Sequence, residues 1–169
     1  GSCYFFYTGA EQLCDITDEV IGGDCALICN SIGTISSLQA CLDKPELFTG
    51  LLTVSPNFRE LHTAEASPLL MPVIKNVQRL LREKGQGLFD ALANANTVKN
   101  ILKEPYAVKD AVTDELVEVL LTPLLTAGAA DVVFDTLSYS AGPLPEDQLG
   151  RLPGDLTFWV CYCGSDPST

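Results

Sequence analysis

The sequence is poor in basic residues: it has one histidine, His62, and ten lysines and arginines against 22 aspartates and glutamates. The net charge of -12 argues against nucleic-acid binding, because phosphate recognition needs a dense Lys/Arg surface. Long apolar runs are also lacking. Pro, Gly or charged residues interrupt each run well short of the ~20 residues that a transmembrane helix requires. We therefore expect neither a nucleic-acid partner nor a transmembrane segment.

The seven cysteines are odd in number and scattered, which is weak support for a disulfide framework and favours a reducing cytosol or plastid stroma. Cys25, Cys29, Cys161 and Cys163 lie in apolar strand-like runs, and we predict that they are buried thiols. Cys161 and Cys163 lack the second ligand pair that a structural zinc ion requires. We predict no metal site and no cofactor.

The most informative segment runs from Cys25 to Gly33, where an apolar strand-like run ends at a serine and a helix-like segment follows. In the Gly-x-Ser-x-Gly nucleophile elbow, a serine occupies a strained turn between a strand and a helix. Gly33 fits the second glycine, and Cys29 replaces the first. Ser31 would then be a nucleophile, with the Ile32 backbone N–H as an oxyanion donor. The alternative is that Ser31 merely caps the helix, as Asn30 also could.

The context of Ser31 favours a parallel sheet. A helix-like segment from Thr34 to Leu42 connects the first strand-like run to a second, Gly50 to Pro56. Right-handed crossover rules place the second strand beside the first. Ser31 is then expected at the carboxyl end of its strand, where open parallel sheets bind their ligands.

Six segments carry a family resemblance: Asn30–Gly33, Leu38–Ala40, Pro45–Leu47, Phe58–His62, Val112–Val117 and Tyr139–Glu146. Together they resemble plant and algal α/β hydrolases related to pheophytinase and chlorophyll dephytylase, over nearly the whole chain. Cys29 and Thr34 depart from the glycines that are usual in this group. The resemblance implies an α/β fold: part of an α/β-hydrolase fold, with a few parallel strands, helices and a helical cap insertion.

The resemblance also implies a serine esterase with a small hydrophobic ester substrate, such as the phytyl ester of a chlorophyll derivative. It implies a chloroplast or cytoplasmic location, with peripheral thylakoid association as one option. Asp166 follows the last strand-like run, Leu156 to Cys163, where the family places the acid that orients the triad histidine. Asp before Pro is also a common turn starter.

Three segments organise the chain. We predict a partial hydrolase core with the nucleophile elbow at 1–56, a helical cap at 57–149, and a returning core strand with the acid loop at 150–169. An amphipathic helix over 3–22 should end at Gly22 and Gly23. Asp114 and Glu115 fit the first turn of a helix better than a catalytic role.

The triad lacks a base in this sequence. His62 follows the second strand within a motif that the family shares, so we interpret it as structural or pocket-lining. We therefore expect a fragment whose histidine and second oxyanion donor lie elsewhere, and which is itself inactive. The alternative is a truncated, non-catalytic hydrolase-like protein that acts as a binding module.

Overall fold

The computed structural model describes residues 6–58, 71–137 and 142–164. These segments contain helices α1 (Phe6–Asp15), α2 (Gly33–Asp43), α3 (Met71–Lys84), α4 (Gln86–Leu92), α5 (Ala95–Lys103), α6 (Asp114–Leu124), α7 (Ala129–Thr136) and α8 (Pro145–Leu149), and strands β1 (Cys25–Asn30), β2 (Phe48–Val54) and β3 (Thr157–Cys161). They form a sheet unit, with α1, α2, α8 and the strands, and a helical unit, with α3 to α7. The chain changes unit after residues 65, 138 and 163, so 139–149 belong to the sheet unit. The predicted boundaries lie at 56 and 149 instead.

The sheet has the order β1-β2-β3, and both strand pairs are parallel. Cys25 to Asn30 is continuously apolar up to its last residue, as expected for a strand of a parallel sheet. Helix α2 supplies the crossover to β2, as the sequence predicted. β2 covers 48–54 rather than 50–56, and β3 covers 157–161. The strand-helix-strand prediction is therefore confirmed.

One face of the sheet is covered by helices α1 and α2. Leu27, Leu51 and Phe158 lie in register on this face and pack against buried residues of both helices. Full burial of a leucine or phenylalanine side chain contributes about 1.5–3 kcal/mol. Leu51 is fully buried and Leu27 and Phe158 are half-buried, so these contacts stabilise the unit. Helix α1 continues as a π-helical turn to Ile21 and ends at Gly22, which adopts φ 68°, as predicted.

The opposite face of the sheet is open among the described residues. Ile28, Leu52 and Trp159 lie in register there, and Ile28 is 75% and Trp159 55% exposed. The prediction that Cys161 and Cys163 are buried is wrong, because both are exposed. An apolar strand is buried only where another element covers it, and β3 lies at the edge of the described sheet.

Helix α8 connects the returning chain to α2. The Gln148 side chain is 1% exposed, and its Nε2 donates to Ile35 O and to Gln39 Oε1, both at 3.1 Å. Gln39 Nε2 in turn donates to Asp43 Oδ1 at 2.7 Å. This buried amide network fixes α8 against the helix that follows Ser31.

The helical unit has a core of its own, formed by Val98, Val112 and Val117. The Thr113 hydroxyl caps α6 by accepting from the Leu116 N–H at 3.2 Å. Asp114 and Glu115 occupy the first turn of α6, where the helix dipole favours negative charge. Their predicted positions are thus confirmed. No single helix in the described ranges could cross a membrane; α6 and α7 together reach the required length and apolarity, but with a bend of 98°.

Acidification should weaken the helical unit through Asp114. Lys99 Nζ donates to Asp114 Oδ1 at 2.5 Å, and this hydrogen bond and the lysine charge lower the pKa of Asp114. A lowered pKa stabilises the folded state above the unfolded-state pKa of ~3.9, and the stabilisation is lost as the pH falls through the folded-state pKa. We expect Asp114→Asn to lower the urea midpoint at neutral pH and to shrink its drop on acidification.

The measurement is a series of urea titrations from neutral to acidic pH, followed by circular dichroism. Glu115→Gln is the matched control, because it removes a neighbouring charge and leaves the Lys99–Asp114 pair intact. Equal pH dependence in both variants would contradict the assignment.

Candidate active site

Ser31 lies in a left-handed turn between a strand and a helix. Its φ is 51°, a conformation that costs a residue with a Cβ atom about 1 kcal/mol or more. β1 ends at Asn30, and α2 begins at Gly33 with no side-chain cap. The capping alternative is therefore wrong, because the N-cap residue of α2 is Ile32 and not Ser31 or Asn30. Asn30 Nδ2 donates to Val54 O at 2.9 Å. Turns of this strained kind present the nucleophile in an elbow.

Three backbone hydrogen bonds hold the turn in place. The Ser31 N–H donates to Val54 O at 3.2 Å, and the Ser31 carbonyl accepts from the N–H groups of Thr34 and Asn57, both at 3.1 Å. The turn is thus connected to α2 and to the chain that leaves β2. Such contacts over-determine a strained backbone and prevent it from relaxing.

Cys29 and Thr34, which replace glycines of the resembling group, contact each other beneath the turn. Cys29 Sγ donates to Thr34 Oγ1 at 3.7 Å, and the two residues are 9% and 0% exposed. A Cβ atom at Gly33 would lie 4.0 Å from Cys29 Cβ, an ordinary van der Waals distance, so the space at this position does not by itself require glycine. The two replacements pack together, so the turn keeps its strand-to-helix geometry. No local sequence pattern predicts this contact.

The N-terminus of α2 presents free donors beside Ser31. Neither the Ile32 nor the Gly33 N–H donates to another residue in the described part of the chain. The first amides of a helix lack intrahelical acceptors, and the helix dipole makes them favourable for negative charge. The Ile32 N–H is therefore available for an oxyanion, as the sequence predicted; its catalytic role stays a prediction.

Asp166 and His62 both lie outside the described residues, so the Ser31–Asp166 pairing stays a prediction. The strand that leads to Asp166 does end at the rim of Ser31, because all three strands are parallel. The Ser55 N–H, just after β2, donates to Cys161 O at 2.7 Å. Carboxyl ends of three adjacent strands therefore meet at this rim.

The core thiols beneath the site are not nucleophiles. Burial, with smaller contributions from the nearby thiols Cys29, Cys14 and Cys25, raises the pKa of Cys41 to about 12. Burial also raises the pKa of Cys14. A thiol with a raised pKa remains protonated at neutral pH and unreactive. Within 6–58, 71–137 and 142–164, no group of three or more His, Cys, Asp or Glu side chains could hold a metal ion.

A cleft of about 540 Å³ lies at the other end of the sheet. Phe48 and Leu156, at the amino ends of β2 and β3, line it together with the carboxylate residues Glu46 and Asp155. Ser31 is not among its lining residues. In open parallel sheets the ligand site lies at the carboxyl ends of the strands, so this cleft is not the site of the predicted chemistry.

No protein-family model and no curated protein matches the chain. Three chains of solved structures do match. One is a meta-cleavage product hydrolase from Pseudomonas fluorescens IP01 (CumD), a serine-to-alanine mutant complexed with acetates, with a TM-score of 0.55 and 13% identity over 96% of this chain. A second is an alanine-to-valine mutant of a meta-cleavage product hydrolase (CumD), with a TM-score of 0.52 and 13% identity over 94% of this chain.

The present chain spans 65% and 64% of the lengths of these two structures, just under two thirds. Both are α/β hydrolases, and the likeness shows that this chain has part of the α/β-hydrolase fold. The α/β fold that the resemblance implied is thus confirmed. At 13% identity the likeness speaks for the fold alone.

Proposed function

We propose that this chain is part of a serine hydrolase that acts on carboxylic esters, with Ser31 as nucleophile. The observation that carries the proposal is the left-handed backbone of Ser31 between a parallel strand and a helix whose first amides are free. Such strain is characteristic of functional sites. The likeness to α/β hydrolases supports a hydrolytic function of this fold.

The chemistry follows from the residues at the rim. Ser31 Oγ forms a bond to the ester carbonyl carbon, while its proton passes to a histidine. The Ile32 N–H donates to the oxygen that becomes negatively charged. Collapse of the tetrahedral intermediate breaks the ester C–O bond, and the alcohol leaves with the proton. Water then hydrolyses the acyl-serine, and Asp166 orients the histidine throughout.

The hydrophobic, pheophytinase-like substrate is the finer part of the proposal. It rests on the resemblance to the plant and algal group and on exposed apolar side chains of the helical unit, such as Val119 and Leu125. In the proposal the helical unit acts as the cap that binds the apolar part of the ester. Chloroplast or cytoplasmic location and peripheral thylakoid association rest on the resemblance alone.

Covalent labelling with a fluorophosphonate tests the nucleophile. Without a triad histidine we expect slow labelling of the wild-type chain, acceleration by added imidazole as an external base, and no labelling of Ser31→Ala. Intact-mass spectrometry measures the adduct. Ser36→Ala, in α2, is the matched control and should label like wild type. Labelling that survives Ser31→Ala, or none with imidazole, would favour the non-catalytic binding module.

Ester chain length tests the role of the helical unit. We expect Val119→Glu and Leu125→Glu to reduce imidazole-dependent hydrolysis of an octanoyl ester by at least about tenfold. Exposing two methylene groups of the octanoyl chain to water costs about 1.6 kcal/mol of transition-state binding. Hydrolysis of the acetyl ester should stay within about twofold, since its short acyl group needs no such surface.

Thr122→Glu is the control, because Thr122 is an exposed polar residue of α6, the helix that contains Val119 and ends just before Leu125. The measurement is the ratio of the initial rates with the two esters. Equal losses of rate with both esters would contradict the proposal of a lipophilic substrate. They would not bear on the assignment of Ser31 as nucleophile.

A further inference from the structure

A second strained serine lies beside Ser31. Of all the non-glycine residues in the described ranges, only Ser31 and Ser55 have a positive φ, 51° and 40°. Asn30 pairs with Val54 at the end of the parallel ladder, so the next residues, Ser31 and Ser55, are opposite each other. Neighbouring strands are ~4.8 Å apart, which makes the two serines adjacent at one rim.

The Ser55 backbone adopts an unfavourable conformation for two reasons. It is left-handed, and it precedes Pro56, which normally restricts the preceding residue to extended conformations. The Ser55 N–H is held by Cys161 O at 2.7 Å. Because Pro56 has no N–H, the next donor, Asn57, bonds the Ser31 carbonyl. The segment that contains Ser55 is therefore hydrogen-bonded to the end of β3 on one side and to the Ser31 turn on the other. These bonds hold its strained backbone in place.

The side chain of Ser55 is available for a ligand. The residue is half-buried, and its hydroxyl makes no hydrogen bond to another residue in the described part of the chain. A hydroxyl can both donate and accept. Ser55 directly follows β2 and lies opposite Ser31, about one strand spacing of ~4.8 Å away, so a group bonded to Ser31 lies next to Ser55.

We propose that Ser55 is a second substrate-contacting residue, whose hydroxyl hydrogen-bonds a polar group that the substrate carries beside the scissile carbonyl. This inference rests on the proposed role of Ser31 as nucleophile. Among the esters of the proposed function, it predicts a preference for those with a hydroxyl or carbonyl group on the carbon next to the ester carbonyl. An ester that lacks this group does not form this hydrogen bond with the Ser55 hydroxyl.

Ethyl lactate and ethyl propionate test the proposal, because they differ by one hydroxyl group at that carbon. The rates of imidazole-dependent hydrolysis are measured by proton NMR and divided by the uncatalysed rate of each ester. We expect the wild-type chain to prefer ethyl lactate about tenfold, as one hydrogen bond allows. Ser55→Ala and Ser55→Gly should both reduce the preference to about one, with propionate hydrolysis retained.

Ser55→Gly keeps the test decisive where Ser55→Ala fails to fold, because glycine adopts a positive φ without strain. Thr49→Ala, at the amino end of β2, is the control and should keep the preference. An unchanged preference in Ser55→Gly, with turnover abolished in Ser31→Ala, overturns the role of Ser55 and leaves the nucleophile intact. Absence of Ser31-dependent turnover of either ester overturns both proposals.

Discussion

The 169-residue chain is expected to show no burst of p-nitrophenolate with p-nitrophenyl acetate, and a steady-state rate close to that of Ser31→Ala. A serine hydroxyl needs a general base, and triad members act as a unit. Losing one of them reduces kcat by up to about 10⁶. His62 is the one histidine of the sequence, and the resemblance to the plant and algal group predicts a structural or pocket-lining role for it rather than that of the base. The measurement is stopped-flow absorbance of the released phenolate.

His62→Ala is the informative control for this expectation. If the wild-type chain turns over robustly and both Ser31→Ala and His62→Ala abolish turnover, then His62 is the base and the interpretation of His62 is wrong. If His62→Ala behaves like wild type at a trace rate, the base comes from outside this chain. Imidazole should then raise the rate of wild type and leave Ser31→Ala unchanged.

Replacement of Gly85 by alanine should strongly destabilise the helical unit. A Cβ atom there would lie 2.6 Å from Phe134 Cε2 and would also collide with the Leu81 carbonyl oxygen. Phe134 packs edge-on against Phe89, with ring centroids 6.2 Å apart, so displacement of Phe134 disturbs a second ring. Overpacking of this kind costs about 1–3 kcal/mol. We expect a lower urea midpoint by circular dichroism.

Gly87→Ala is the matched control, two residues further along in α4. Nothing lies within 4 Å of a Cβ atom at this position, and its φ is not in the left-handed region. Alanine is the better helix former by about 0.5–1 kcal/mol, so this variant should be more stable than wild type. Equal urea midpoints for the two variants would show that the helical unit accommodates a Cβ atom at Gly85 without loss of stability.

Short-range patterns predicted the elements around Ser31 well. The apolar run from Cys25, the small residue Gly33 and the second apolar run near Gly50 specify strand, turn, helix and strand through local propensity and crossover rules. Gly22 likewise ended the first helical segment, and the acidic residues beside Thr113 marked the start of α6. These features depend on neighbours in the sequence, so the sequence alone contains them.

Burial at the sheet edge and the function of individual polar side chains could not be predicted in this way. Cys161 lies in an apolar run, yet it is exposed, because burial depends on which element packs over a strand. Asn30 is of a residue type that often caps helices. In the structure its side-chain amide donates to the carbonyl of Val54 in the adjacent strand β2. Both the exposure of Cys161 and the hydrogen-bond partner of Asn30 depend on segments that are distant in the sequence.

The sequence by itself determined the order of the elements and the position of a serine between a strand and a helix. Only the tertiary structure decided that Cys29 and Thr34 contact beneath the turn and that Ser55 lies opposite Ser31 in the same strained state. It also fixed α8 to α2 through the buried Gln148 amide. The physical reason is that propensity acts over a few residues, whereas register, burial and hydrogen-bond partners arise between segments far apart in the chain.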